Sequence, residues 1–289
     1  MTDAPPAPGP GEIRLSAEHI TAGYDSRKVL VDLNVIVPPD SFTVIIGPNA
    51  CGKSTLLRTL ARLLKPESGT VILDGHDIHT MKAKEVARRI GLLPQTSIAP
   101  DGITVVDLVA RGRYPHQSMI KQWSEADEIA VQTAMKHTGV TDLASRPVDQ
   151  LSGGQRQRVW IAMVLAQETP IVLLDEPTTY LDISHQLELL ELCQELNRGG
   201  RSLVAILHDL NQAARYSTHL IAMHRGEIVA QGNPTEVVTA ELVERVFGVR
   251  SQIVPDPETG SPMIVPLAEG ALSVGPRATE PPTNWLLQG

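Results

Sequence analysis

The chain has 289 residues, long enough for one large α/β domain or two small ones, and its 42% hydrophobic and 20% charged residues are ordinary for a globular protein. Its net charge of −8 and its 3% aromatic content argue against a nucleic-acid partner, which needs a basic face or stacking side chains. Two cysteines, Cys51 and Cys193, are too few for a disulfide framework or a thiolate zinc cage. Because no stretch approaches the ~20 apolar residues of a membrane span, a role at a membrane would need a partner.

The first part of the chain alternates between predicted strands and helices. Residues 1–11, rich in Pro, Ala and Gly, are predicted to be a disordered tail. A helix is predicted over Thr55–Leu64. Strands are predicted where apolar residues alternate or run together, over Ile13–Ile20, Val29–Val37, Phe42–Ile46 and Val71–Leu73.

The middle of the chain, roughly 96–165, is predicted to be an inserted helical lobe, with helices over Val105–Arg111, Glu125–Thr138 and Gln155–Gln167. Alternation then resumes, with predicted strands at Pro170–Leu174, Ser202–Leu207, Leu220–His224 and Glu227–Ala230, and helices at Ser184–Asn197 and Ala240–Phe247. From about Gln252 the chain is rich in Pro and Gly, and 252–289 is predicted to be a loosely ordered extension. This order favours a mostly parallel sheet with helices on both faces, which binds ligands at the carboxyl ends of its strands.

The strongest motif follows the predicted strand Phe42–Ile46. It matches the phosphate-binding pattern G-x-x-x-x-G-K-[ST] with Gly47, Pro48, Asn49, Ala50, Cys51, Gly52, Lys53 and Ser54. Glycines let the backbone N–H groups turn toward one point, and the following helix adds its positive end. We expect Lys53 to reach the β- and γ-phosphates of ATP and the Ser54 hydroxyl to ligate Mg²⁺.

A pair of carboxylates, Asp175 and Glu176, follows the buried run Ile171–Leu174. Carboxylates at the end of a buried strand are costly unless they meet a cation. Asp175 is therefore the predicted Mg²⁺ partner, and Glu176 is predicted to polarise the attacking water as a general base. The alternative is a plain acidic turn after a strand.

The run Leu151–Gln155 precedes a predicted helix, and Ser152 is its candidate N-cap. Gly153 and Gly154 expose backbone N–H groups that could approach an anion. One interpretation is a capped helix after a flexible turn. The other is a second anion site that acts on another copy of the molecule.

These motifs together resemble the ATP-binding subunit of an ABC transporter over about residues 13–250. The family's order is matched by Gly47–Ser54, Gln95, Leu151–Gln155, Ile171–Glu176 and His208. The resemblance implies a P-loop NTPase (RecA-like) α/β core with a small antiparallel β-subdomain and an inserted α-helical subdomain. The ATP-binding domain is accordingly expected over 12–251.

The resemblance also implies roles for single residues. Tyr24 would stack on adenine and Gln95 would touch Mg²⁺ or the attacking water, although either could be an ordinary surface residue. His208 would contact the γ-phosphate, or would simply begin a helix. The remaining nucleotide contacts would be Thr55 after the loop, the dimer-loop residue Asp182, and, toward the nucleotide of the opposite subunit, Ser152, Gly153, Gly154 and Gln155.

Ala50 departs from the glycine that many family members have at this position. Because alanine tolerates a left-handed φ poorly, either φ is negative here or the loop carries slight strain. Neighbouring Cys51 is expected to fill space beside the phosphates.

A finer resemblance concerns the cargo. The segments Ala110–Gln117 and Thr178–Gln186 look like those of importers of iron–siderophore, haem and cobalamin, although the first could be a basic surface turn. The implied partners are a second copy of the chain, transmembrane permease subunits and, indirectly, a substrate-binding protein, with no nucleic acid. The chain would lie on the cytoplasmic face of the plasma membrane, held there by the permease.

Two rival functions remain at this point. One is a non-transport ABC ATPase acting in translation or DNA repair; such chains usually carry two cassettes or a long coiled coil, and this one shows a single set of motifs. The other is a nucleotide-gated scaffold without turnover, against which intact Glu176 and His208 argue.

Overall fold

The computed structural model describes residues 14–25, 27–95, 98–117 and 123–267. Its strands are β1 (Leu15–Tyr24), β2 (Arg27–Val37), β3 (Phe42–Ile46), β4 (Ser68–Leu73), β5 (His76–Asp77), β6 (Ile90–Leu93), β7 (Ile171–Asp175), β8 (Ser202–Ile206), β9 (His219–His224), β10 (Glu227–Gly232), β11 (Ser251–Pro255) and β12 (Pro262–Pro266). Its α-helices are α1 (Lys53–Leu60), α2 (Ala83–Ala87), α3 (Val105–Ala110), α4 (Glu125–His137), α5 (Gly153–Ala166), α6 (Ile183–Arg198), α7 (Leu210–Tyr216), α8 (Pro234–Val237) and α9 (Ala240–Phe247).

The largest sheet has the strand order β10-β9-β3-β8-β7-β6. The strands from β9 to β6 run parallel, and β10 pairs antiparallel with β9 at the edge. Every residue of β3, β7 and β8 is buried, as expected for a parallel sheet covered on both faces. The predicted α/β fold is confirmed, and the carboxyl ends of β3, β8, β7 and β6 are neighbours along one edge.

A second sheet of order β2-β1-β4-β5 is antiparallel. Its buried residues, among them Ile20 and Leu30, join α1 and one face of the parallel sheet in a common hydrophobic core. This is the small antiparallel sheet that the family resemblance implies. It places Tyr24, the last residue of β1, next to the loop that follows β3.

Between 98 and 165, the described residues form α3, a 3₁₀ turn over Arg111–His116, α4, α5 and two further 3₁₀ turns. The helices pack through apolar residues such as Leu108, Val131 and Trp160. The buried Arg113 side chain ties the lobe together: its Nε donates to Asp127 Oδ1 at 2.8 Å, and one terminal nitrogen donates to the Ala166 carbonyl oxygen at 2.7 Å and to Glu168 Oε2 at 2.7 Å.

The prediction of a loosely ordered segment from about residue 252 is wrong over Ser251–Pro266. Strands β11 and β12 form an antiparallel hairpin there that packs on α7. Its prolines do not disrupt it, because Pro255 pairs with Pro262 and Pro266 with Ser251 at the strand ends, where a missing N–H is tolerated. The predicted tail 1–11 and the remainder of the extension, 268–289, lie outside the described residues.

Two smaller differences concern local signals. The helix predicted over Thr55–Leu64 begins earlier, at Lys53, because Gly52 already serves as its N-cap, and it ends at Leu60. Strand β6 was not predicted, since four residues that include Gly91 give too short a pattern. Among the described residues, no helix is both long and apolar enough to cross a membrane.

Arg113→Leu should lower the free energy of unfolding by about 3–5 kcal/mol, because it leaves the buried Asp127 carboxylate without its cation. Burial alone would raise the pKa of Asp127, but hydrogen bonds from Ser124 and Arg113 lower it, so the carboxylate is charged at neutral pH. Urea denaturation at pH 7 measures the loss.

Glu168→Gln is the matched control, because it removes the half-exposed partner of Arg113 and should cost less than about 1 kcal/mol. Equal and small losses in the two variants would contradict the view that the Arg113–Asp127 pair holds the lobe together.

Candidate active site

The loop between β3 and α1 depends on glycine at two positions. Gly47 has φ 153°, and a Cβ there would lie 2.3 Å from the carbonyl oxygen of Met223. Gly52 has φ 108°, and a Cβ there would lie 2.9 Å from Leu30 Cδ2. Any other residue would therefore strain the backbone and collide with β9 or β2. The chain can curl tightly here only because both positions lack a side chain.

Ala50 has φ 60°, so the loop takes the strained alternative rather than a negative φ. A left-handed alanine costs about 1–2 kcal/mol. Two backbone hydrogen bonds on the following residue help to hold the loop: Cys51 N–H donates to the Pro48 carbonyl at 3.4 Å, and Gly226 N–H donates to the Cys51 carbonyl at 2.9 Å.

A large cleft opens at the carboxyl edge of the parallel sheet, with a volume of about 1080 Å³. From the loop and the start of α1, the cleft is lined by Asn49, Ala50, Gly52, Lys53, Ser54 and Thr55. Gly47, Pro48 and Cys51 are not among the residues that line the cleft, although the carbonyl groups of Gly47 and Pro48 contact Lys53, which does. The Cys51 side chain is buried in the hydrophobic core, as a space-filling residue would be, and burial raises the pKa of its thiol.

Lys53 is held at the mouth of the loop. Its Nζ donates to the carbonyl oxygens of Gly47 at 2.8 Å and Pro48 at 2.9 Å, and the residue is buried. These two contacts place the ammonium group against the loop that precedes α1. A phosphate bound there would meet both the helix N-terminus and the lysine.

Asp175, the last residue of β7, accepts a hydrogen bond from Ser54 Oγ to its Oδ1 at 3.0 Å. Its Oδ2 is buried and has no hydrogen-bond partner among the described residues. Burial raises the pKa of this carboxyl, while Ser54 and the nearby Arg58 oppose that shift. An orphaned buried acceptor beside a hydroxyl fits a hard cation such as Mg²⁺.

The described residues contain no group of three or more His, Cys, Asp or Glu that could hold a metal ion by themselves. A Mg²⁺ ion does not require such a group, because it is usually bound by one or two protein oxygens together with substrate phosphates and water. The residues therefore fit an ion that arrives with a phosphate ligand.

Three polar side chains from separate strand ends meet at one point. Gln95 follows β6, and its Nε2 donates a hydrogen bond to Glu176 Oε2 at 3.0 Å. His208 follows β8, and its Nε2 lies 2.9 Å from Glu176 Oε1. All three residues line the cleft, and the Glu176 side chain is only 14% exposed. A carboxylate held by two neighbours in this way is oriented to receive a proton.

Sequence reasoning missed part of the cleft. Tyr24 lines it as predicted, and its hydroxyl accepts a hydrogen bond from Arg58 at 3.2 Å. The wall also contains three unpredicted cationic side chains, those of Arg27, Lys28 and Arg225. The first two follow Tyr24 closely and could have been suspected, whereas Arg225 reaches the cleft only because the β9–β10 turn folds against the loop.

The run Leu151–Gln155 does not line the cleft of its own chain. Ser152 is the N-cap of α5 in a capping box: its Oγ accepts from Gln155 N at 3.3 Å, and Gln155 Oε1 accepts from Ser152 N at 3.1 Å. Ser152 and Gly153 are exposed. Asp182 is likewise exposed as the N-cap of α6 and does not line the cleft.

Known proteins resemble this chain over most of its length. The family model described as ABC transporter matches residues 30–179, more than half of the chain. The ferric enterobactin transport ATP-binding protein FepC of Escherichia coli (strain K12) is 60% identical over 261 residues, which are 90% of this chain and 96% of that protein.

Two solved structures are similar throughout the fold. The first, an inward-facing conformation of a metal-chelate type ABC transporter, has a TM-score of 0.74 at 27% identity and covers 89% of this chain and 98% of its own. The second, the dimeric structure of the bacterial ABC transporter cassette MJ0796, has a TM-score of 0.69 at 27% identity and covers 76% of this chain and 98% of its own.

Proposed function

This chain belongs to the ABC transporter family, and we propose that within it the chain is the ATP-hydrolysing subunit of an importer that takes up a metal chelate through a separate membrane permease. The observation that carries the proposal is the Glu176 carboxylate, held between Gln95 and His208 in the cleft where the phosphate loop opens. A cleft that served only to hold nucleotide would not need an oriented base.

Glu176 is the proposed general base. It takes a proton from water as the water oxygen attacks the γ-phosphorus, and the bond between that phosphorus and the β–γ bridging oxygen breaks to give ADP and phosphate. Lys53 and the backbone N–H groups of the loop stabilise the charge on the phosphate oxygens. His208 holds Glu176 from one side and faces the γ-phosphate, and Gln95 orients the water from the other.

Ser54 and Asp175, with Gln95 nearby, are the residues that would hold Mg²⁺. Held there, Mg²⁺ would supply positive charge that offsets the negative charge of the phosphate oxygens. The unpartnered Asp175 Oδ2 and the Ser54 hydroxyl support this assignment. Tyr24 lines the same cleft and supports the adenine ring, and a hydrogen bond from Arg58 holds its hydroxyl.

The active unit is proposed to be a pair of chains that sandwich two ATP molecules. At the N-terminus of α5, Ser152 and Gly153 are exposed and do not line the cleft of their own chain, and a helix N-terminus favours an anion. In a two-fold pair it would meet the γ-phosphate in the partner's cleft, and Asp182 would lie at the same contact. ATP can then drive closure, because it contacts both halves only in the closed state.

The proposed cargo is a ferric siderophore, with haem and cobalamin as the next candidates. FepC, named for ferric enterobactin, and the metal-chelate type transporter both point to a chelated metal. The chain would be held by its permease at the cytoplasmic face of the membrane. A role in translation or DNA repair finds no support in these relatives.

Glu176→Gln should preserve ATP binding and lower kcat by at least about 100-fold, because the amide cannot accept the proton. Unhydrolysed ATP should also trap the pair, visible as an ATP-dependent dimer by size-exclusion chromatography. Phosphate release by the purified chain measures turnover, with Glu195→Gln, a change at an exposed residue of α6 that does not line the cleft, as the control. Turnover at the wild-type rate would refute the assignment of the base.

The chain should restore ferric enterobactin uptake to an Escherichia coli strain that lacks FepC, because the two proteins are 60% identical over nearly their whole lengths. Uptake of ⁵⁵Fe-enterobactin measures this, and the Glu176→Gln variant is the matched negative control. ATP hydrolysis in vitro without restored uptake of ferric enterobactin would count against that cargo but not against the ATPase.

A further inference from the structure

The C-terminal hairpin β11–β12 docks next to the proposed catalytic histidine. Helix α7 begins at Leu210, two residues after His208, and Asp209 is its N-cap through a 2.8 Å hydrogen bond from Gln212 N to Asp209 Oδ1. The placement of the first turn of α7 therefore determines the direction in which the backbone leaves β8. We therefore expect a displacement of this turn to move His208 relative to Glu176.

Asn211 connects that turn to the hairpin by two hydrogen bonds to one residue. Asn211 Oδ1 accepts from Ile264 N at 2.7 Å, and Asn211 Nδ2 donates to the Ile264 carbonyl oxygen at 3.3 Å. A carboxamide is suited to this contact, because it offers a donor and an acceptor side by side. Two bonds to one peptide position restrict rotation as well as distance.

Further contacts seat the hairpin on the same helix. One turn beyond Asn211, the Arg215 guanidinium forms an ion pair with Asp256 at 3.7 Å and another with Glu258, both in the turn of the hairpin. The Ile264 side chain is buried in the main hydrophobic core. The hairpin is therefore a fixed part of the fold and can act as a support for α7.

A neighbouring face of α7 contacts α6, the helix that follows the loop bearing Glu176 and Asp182. Gln212 Nε2 donates to Gln186 Oε1 at 3.0 Å, and Gln186 Nε2 donates to the Leu181 carbonyl oxygen at 2.9 Å. Leu181 lies between Glu176 and Asp182 in the chain. Helix α7 thus contacts both the hairpin and α6, so we expect a shift of the helix to move His208 relative to its partner.

We propose that Asn211 is a positioning residue for ATP hydrolysis: through it, the β11–β12 hairpin holds α7 so that His208 stays in register with Glu176. The proposal rests on the assignment of His208 and Glu176 to catalysis made above. It gives a function to a segment that lies beyond residues 30–179, the part matched by the family model.

Asn211→Leu tests the contact, because leucine has nearly the same size and removes both hydrogen bonds. We expect kcat to fall at least about fivefold while KM for ATP changes less than about twofold, since the phosphate loop and Tyr24 lie on other elements. Asn197→Leu is the matched control: it removes a 2.9 Å hydrogen bond to the Arg201 carbonyl at the far end of α6 and should leave kcat unchanged.

A double-mutant cycle with His208→Ala separates positioning from general destabilisation. If Asn211 acts through His208, the double variant should be no slower than His208→Ala alone. Losses that multiply, or wild-type kcat in Asn211→Leu, would overturn the proposal. Asn211→Asp keeps only the acceptor for Ile264 N and takes the place of the leucine variant in the same cycle if that variant does not fold.

Failure of the proposed function and failure of the hairpin proposal give different results. Absence of ATP hydrolysis by the wild-type chain, or an unchanged kcat in His208→Ala, would count against the catalytic assignment itself. A His208-dependent ATPase that is insensitive to Asn211→Leu would count against the hairpin alone.

Discussion

The structure depends on four neighbouring parallel strands that end at one edge of a sheet. The loop Gly47–Gly52 follows β3, His208 follows β8 and Gln95 follows β6. Asp175 is the last residue of β7, and Glu176 comes directly after it. Adjacent strands lie about 4.8 Å apart, so residues one or two positions beyond their ends can touch without long loops. The Glu176 contacts with Gln95 and His208 follow from that spacing.

Much of the remaining architecture serves to keep this edge in place. The antiparallel sheet and α1 cover one face of the parallel strands, and the helices from α5 to α7 cover the other. Features that cost folding free energy are concentrated at this edge. Ala50 and Glu176 both have a positive φ, and Asp175 Oδ2 is buried without a hydrogen-bond partner among the described residues. Such costs persist where the surrounding structure overdetermines the conformation, and they are common at functional sites.

The sequence predicted the parts of this site that depend on local pattern. The buried runs at β3, β7 and β8 and the glycine motif after β3 are contiguous signals, so their residues could be placed before any contact was known. Arg225 and the hairpin over Ser251–Pro266 could not, because their positions depend on pairing between segments distant in the chain. The sign of φ at Ala50 was also undetermined, since two backbone solutions were open to an alanine there.

The central claim is that the cleft is half of a site and that the other half is the exposed α5 N-terminus of a second chain. Mixing two inactive variants, Lys53→Ala and Ser152→Arg, tests it most directly, with ATPase activity as the readout. In a two-fold pair, half of the randomly formed dimers carry one intact site, so the mixture should regain up to about a quarter of wild-type activity. A mixture no more active than its two components would contradict the account.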